Sequence, residues 1–219
     1  MATERSNSIL GSYRGKIGNV VLSDWNGTGT MRKTPEKQNK KKITQLQARQ
    51  NKIFGMMNRF LKGAKTAINL GYQLPRKAKM TAYNAAVSYH LNQVTGKPDN
   101  PAPDFAKIKL SRPVNKTQQA WNPVLSAESE YKVTVKWELN PFPDMCTRLD
   151  DKVILVYYDT KINRFINFVN VAGRRDLSYT VNFIDWDEGH ELHWYMFMAS
   201  RDGKLVSETE YLGMITVKA

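Results

Sequence analysis

The hydrophobic period of this chain changes at a proline-rich segment spanning residues 96–103, and that change constrains the fold class more than any other feature. Over the roughly fifty residues before it, apolar residues recur every three or four positions. After it, they recur every second position. From about Thr44 to Leu70, Leu46, Ile53, Met57, Phe60, Leu61, Ala64 and Ile68 share one stripe at helical spacing, with Arg49, Lys52, Arg59 and Lys62 opposite. Thr44 reads as the N-cap of this helix, while Gly71 and Pro75 read as its stop signals. A second amphipathic helix fits Lys77 to Val94, with Gly96 as its C-cap. Two such helices joined by a short loop pack antiparallel and bury both stripes.

Beyond Pro98, Pro101 and Pro103 the alternation is that of strands: Tyr131-Val133-Val135-Trp137, Val153-Leu155-Tyr157 and Leu192-Trp194-Met196-Met198. Lys107 to Leu110, Phe165 to Val169, Tyr179 to Phe183 and Lys204 to Ser207, the last after an Asp202-Gly203 turn, read as further short strands. About seven strands at this spacing indicate a β-sandwich of immunoglobulin or fibronectin-III type. At the other end, Val20-Val21-Leu22 runs into Asp24-Trp25-Asn26-Gly27, and Thr28 to Lys33 returns as a hairpin partner. The fold class is therefore α+β. A hairpin-and-helices module over 1–98 precedes an all-β module over 99–219.

Charge follows the same division. Met1 to Pro98 carries 18 Lys+Arg and three acids (Glu4, Asp24, Glu36), whereas Asp99 to Ala219 carries 15 bases and 17 acids. Arg32, Lys33, Lys37, Lys40, Lys41, Lys42, Arg49, Lys52, Arg59 and Lys62 form the densest part, ten bases against the single Glu36. Lys33 to Lys42 reads as an extended basic linker. A one-sided excess of this kind is relieved by a polyanionic partner, either nucleic acid bound without sequence preference or an acidic protein surface.

Chemistry is hard to find. The single Cys146 excludes an intrachain disulfide and a cysteine-based zinc site within one chain. His190-Glu191-Leu192-His193 lacks the i, i+4 histidine pair of the metalloprotease helix, and on a strand His190 and His193 point to opposite faces. Asp144, Asp150 and Asp151 match no oxygen-ligand loop. There is no nucleophile elbow, phosphate loop or dinucleotide fingerprint. No apolar run is long enough to span a membrane, and the first residues lack the apolar stretch of a secretory signal. The expectation is a protein with no catalytic residues, cofactor or metal. Its expected place is the cytoplasm, or a particle assembled there.

Several segments carry a family resemblance. Ile9-Leu10-Gly11, Gly15-Lys16-Ile17-Gly18-Asn19-Val20-Val21, Trp25-Asn26-Gly27 and Met31-Arg32-Lys33-Thr34-Pro35 stand in one order, followed by Thr44-Gln45-Leu46, Gln50 and Phe54. This resembles an uncharacterised family of Bacteroidota proteins, encoded in chromosomes and mobile elements, that end in a sandwich. The resemblance implies an architecture and makes a phage-type particle component the expected role. The basic module would touch nucleic acid, and the sandwich would touch a protein partner or a neighbouring copy. In the alternative reading, the basic arm clamps an acidic subunit of a lattice, or the protein is a cellular nucleic-acid-associated one.

Overall fold

The computed structural model describes residues 2–5, 14–25, 28–36, 43–73, 80–97, 100–128 and 131–218. They fall into two compact units, Met1–Thr44 and Gln45–Ala219.

The first unit is a four-stranded antiparallel sheet. Its strands are β1 (Ala2–Arg5), β2 (Gly15–Ile17), β3 (Val20–Trp25) and β4 (Thr28–Lys33), in the order β1-β4-β3-β2. The expected hairpin is its centre, with Trp25 opposite Thr28 and Val20 opposite Lys33. The Asn26-Gly27 turn lies outside the described residues. None of the unit's described side chains is buried. Ile17 and Met31 are exposed, at 61% and 44%.

In the second unit the long helix is broken in two. α1 (Gln45–Leu61) passes through a 3₁₀ turn at Lys62–Ala64 into α2 (Lys65–Gly71). Gly63 lies so close to a strand that a Cβ there would sit 3.1 Å from the Phe165 backbone nitrogen. The Gly63 carbonyl also accepts from Asn167 Nδ2 at 2.8 Å. The chain therefore bends where it touches the sheet. α2 does end at the expected Gly71, where a side chain would collide with the Leu110 carbonyl and Ser111. The next helix, α3 (Ala82–His90), starts at Thr81, whose hydroxyl accepts from the Asn84 backbone N–H at 3.1 Å. It stops well short of Val94. The described part of the proline-rich segment forms a two-stranded ribbon, with β5 (Val94–Lys97) paired to β6 (Asn100–Pro103).

Seven strands follow: β7 (Trp121–Glu128), β8 (Lys132–Glu138), β9 (Lys152–Asp159), β10 (Arg164–Gly173), β11 (Ser178–Asn182), β12 (Glu191–Ala199) and β13 (Glu210–Thr216). They form a three-stranded sheet, β11-β8-β7, and a four-stranded sheet, β10-β9-β12-β13. Two antiparallel sheets of three and four strands with this crossing order make the immunoglobulin/fibronectin-III-like sandwich. Lys107 to Leu110 and Lys204 to Ser207 are not strands. Val206 makes only isolated bridges, to Lys116 and Ala199.

The four-stranded sheet is buried on both faces. Val153, Leu155, Tyr157, Leu192, Trp194, Met196 and Met198 face β8 and β11 across the sandwich interior, beside Val133, Val135 and Trp137. Ile154, Val156, Tyr158, Tyr195, Phe197 and Ala199 face the helices, beside Met57, Leu61, Ala64, Ile68, Ala86 and Val87. The helical stripes thus cover the sheet rather than only each other. This is why the division after residue 98 does not separate the two compact units.

His90 ties the helical layer down. Its Nδ1 donates to the Ala86 carbonyl at 2.7 Å, and its Nε2 accepts from the Lys109 backbone N–H at 2.9 Å. The Lys109 bond requires the neutral ring, since a protonated Nε2 cannot accept, whereas the Ala86 bond survives protonation. Burial pushes its pKa down to about 4, and the Ala86 bond opposes this only in part. Because the folded pKa lies below the unfolded value of about 6.5, the stabilisation is complete above that pH. It is lost as pH falls toward 4, by about 3 kcal/mol. Urea melts across this window should show that decline, and a His90→Gln chain should show a flatter acid limb. An unchanged limb in the variant would assign the acid sensitivity to other groups.

Candidate nucleic-acid interface

Strand pairing sorts the charges of the first unit by face. Lys16 lies opposite Val21, which lies opposite Arg32, so the two bases share one face with one strand between them, about 10 Å apart. The Ser23 and Thr30 hydroxyls are on that face too, hydrogen-bonded at 2.7 Å. The other face carries Ile17, Val20, Leu22 and Met31 as its apolar part. Lys33 is on this second face and bonds Glu36 at 2.8 Å, an exposed pair of little energetic weight. Asp24 is met there by Arg14 at 3.6 Å. Arg32 and Lys33 are therefore separated by the pleat, and Lys16 is the base that joins Arg32. Lys37, Lys40, Lys41 and Lys42 lie outside the described residues, as does the side chain of Trp25.

In the second unit α1 carries the remaining predicted bases. At 100° per residue, Lys52, Arg59 and Lys62 fall within an arc of about 80°, opposite the buried Met57 and Leu61. Arg49 sits on the flank. All four are exposed. Neither Arg49, Arg59 nor Lys62 has an ion-pair partner among the described residues. The cause is visible in the sequence, since residues 37–98 hold 13 Lys+Arg and no Asp or Glu. Lys65, one turn beyond Lys62, extends the basic surface and is also exposed.

The residues with possible ligand or catalytic chemistry are engaged elsewhere. His190 Nδ1 meets Asp159 Oδ2 at 2.6 Å, and the other Asp159 oxygen caps the turn at Lys161 and Ile162. His193 bonds the Tyr211 hydroxyl at 2.7 Å and stacks on Phe105 with ring centroids 3.9 Å apart. Burial holds its pKa below the usual histidine value. No group of three His, Cys, Asp or Glu side chains among the described residues is placed to hold a metal. Cys146 is exposed on the loop 139–151. No helix among the described residues is long and apolar enough to cross a membrane.

A family model described as a family of unknown function, DUF6266, matches residues 12–213. The chain belongs to this family. The match spans the Gly15–Val21 motif, all the basic residues just described and almost the whole sandwich. A comparison with curated proteins finds no match. Among solved structures, the sandwich of this DUF6266 member is similar to the fn3 domain of the human collagen alpha-1(XX) chain. That likeness has 12% identity and a TM-score of 0.37, over 50% of this chain and 92% of that one. The twitchin kinase region from C. elegans is similar at 12% identity and a TM-score of 0.36, over 47% of this chain and 17% of that one.

Proposed function

We propose that this DUF6266 chain is a non-enzymatic structural or assembly protein that holds nucleic acid through its basic N-terminal segment, without sequence preference, and contacts protein through its sandwich. The observation that carries the reading is the 62-residue interval without an acid, whose described bases on α1 point away from the core. Solvated helix faces ordinarily mix signs. A face of one sign, held rigid by a buried opposite side, favours a polyanion. A phage- or mobile-element-type particle, in which one face meets packaged genome and another meets a neighbouring subunit, would use both properties.

The sandwich end formed by 139–151, 174–177 and 200–209 supports the protein-contacting half. Phe142, Met145 and Leu149 are 78%, 93% and 57% exposed on a loop that buried bonds hold in place. Aromatic, methionine and arginine side chains on an ordered loop are the composition of an interface core, and order lowers the entropy cost of docking.

The test is fluorescence anisotropy of the full chain with a duplex oligonucleotide at about 50 and 200 mM salt. Several phosphate contacts predict an affinity loss of at least about tenfold. The triple variant Lys40→Gln, Lys41→Gln, Lys42→Gln should bind more weakly at both salts with an unchanged melting temperature. Absent binding, or binding indifferent to salt, sinks the reading.

A further inference from the structure

The proposal deepens the nucleic-acid reading and rests on it: we infer that the outward face of α1 seats against duplex DNA, with its first turns in the major groove. Every residue from Ile43 to Lys52 is exposed, including Leu46 at 78%. The front of α1 therefore stands clear of the body that holds Met57 and Leu61. Its outward arc holds two small residues, Ala48 and Gly55, between the bases Lys52, Arg59 and Lys62. A Cβ at Gly55 would meet nothing within 4 Å, so the arc is low in relief as well as positive.

Those dimensions suit one partner. A helix with its side chains is about 10–12 Å across, and the B-DNA major groove is about 12 Å wide. Small residues on the leading face narrow the helix there and let it approach the groove floor. Lys52 and Arg59, seven residues apart, are about 10 Å apart along the axis, with Lys62 about 5 Å further on. Bases at those positions reach phosphates bordering the groove while the small residues enter it. The major groove of A-form RNA is too deep and narrow for a helix to enter. Single strands are gripped mainly by stacking on aromatic side chains, and this arc contains none.

The experiment uses the full chain with a 20-bp DNA duplex, the matching RNA duplex and the single DNA strand, titrated over a range of salt. Arg59→Gln with Lys62→Gln should weaken duplex DNA binding about tenfold and reduce the slope of log affinity against log salt by about two. Gly55→Leu adds bulk without changing charge. It should weaken duplex DNA by about the same factor and leave the melting temperature equal or higher, since the site is open and leucine favours helix. If both helix variants bind like the parent chain while the Lys40-Lys41-Lys42 variant is weakened, the helix-face inference is overturned and the nucleic-acid reading stands. If the parent chain binds none of the three ligands, both fail. Equal affinity for duplex RNA or for the single strand overturns the assignment to duplex DNA.

Discussion

Replacing Arg174 by methionine should destabilise the second unit by about 3–5 kcal/mol, the usual cost of leaving one member of a buried ion pair alone. Arg174 and Asp151 are 2% and 0% exposed, and the guanidinium contacts Asp151 Oδ2 through Nε at 3.2 Å and Nη2 at 3.0 Å. Its Nη1 and Nη2 also donate to the carbonyls of Gln119 and Gln118, at 3.0 and 2.6 Å. Thr117 Oγ1 and the Arg148 N–H donate to the same Asp151 oxygen. Asp151 Oδ1 has no protein partner among the described residues, so all these donors converge on the single oxygen Oδ2. Removing both charges, in Arg174→Met with Asp151→Leu, should recover much of the loss, because the uncompensated buried charge is then gone. Urea melts of the two variants measure this directly. A loss below about 1 kcal/mol in the single variant would mean that water reaches the pair and screens it. Amide exchange over 139–151 should rise in the single variant, since this pair holds that loop against the sandwich.

Trp137→Ala should cost about 3–5 kcal/mol, a large share of the roughly 5–15 kcal/mol that holds a domain together. Trp137 is 2% exposed, packs inside the sandwich and donates through Nε1 to the Arg174 carbonyl at 2.8 Å. The two predictions are therefore coupled, and the double variant should lose less than the sum of the single losses. Helical circular dichroism should vanish together with the near-UV signal, because α1–α3 rest on the sheet that Trp137 helps to hold. A transition in which the helices outlast the sandwich would show that the two layers are energetically separate.

The sandwich was legible in the sequence, and its third layer was not, for a reason that particular residues display. Val153, Leu155 and Tyr157 alternate, and so do Leu192, Trp194, Met196 and Met198. Both sets face the sandwich interior as the period of two requires. The residues between them, Ile154, Val156, Tyr158, Tyr195 and Phe197, are also apolar. An uninterrupted apolar strand is the signature of burial on two faces. Reading only the alternation fixes one face correctly and leaves the helical stripes without their actual partner. The ribbon around 96–103 was concealed for another reason: three prolines mark a boundary between periods, yet Pro101 and Pro103 belong to a two-stranded ribbon, where an edge position tolerates proline.

The candidate interface was legible where helical geometry alone decides facing, at Lys52, Arg59 and Lys62. In the hairpin, facing depends on register. The partnership of Lys16 with Arg32 across Val21 becomes readable only once Lys16 is paired with Val21. The turn residues and the 3.6-residue spacing are local signals. The burial of His190 and His193 by Asp159, Phe105 and Tyr211 is set by residues distant in sequence, and spacing carries no trace of it.

The double-sided burial of β9 and β12 has a consequence for how the protein is made. α1–α3 leave the ribosome before the sheet they cover, with Met57, Leu61, Ala64 and Ile68 ready to bury, but their partners at Ile154, Val156 and Phe197 come much later in the chain. At about 5–20 residues per second that interval lasts several seconds, far longer than a helix needs to form. Throughout it a basic, apolar-striped helical segment exists without its sheet, beside ribosomal RNA. Truncation before β12 is therefore expected to yield aggregate rather than a shorter folded protein, because the apolar stripe never meets its sheet.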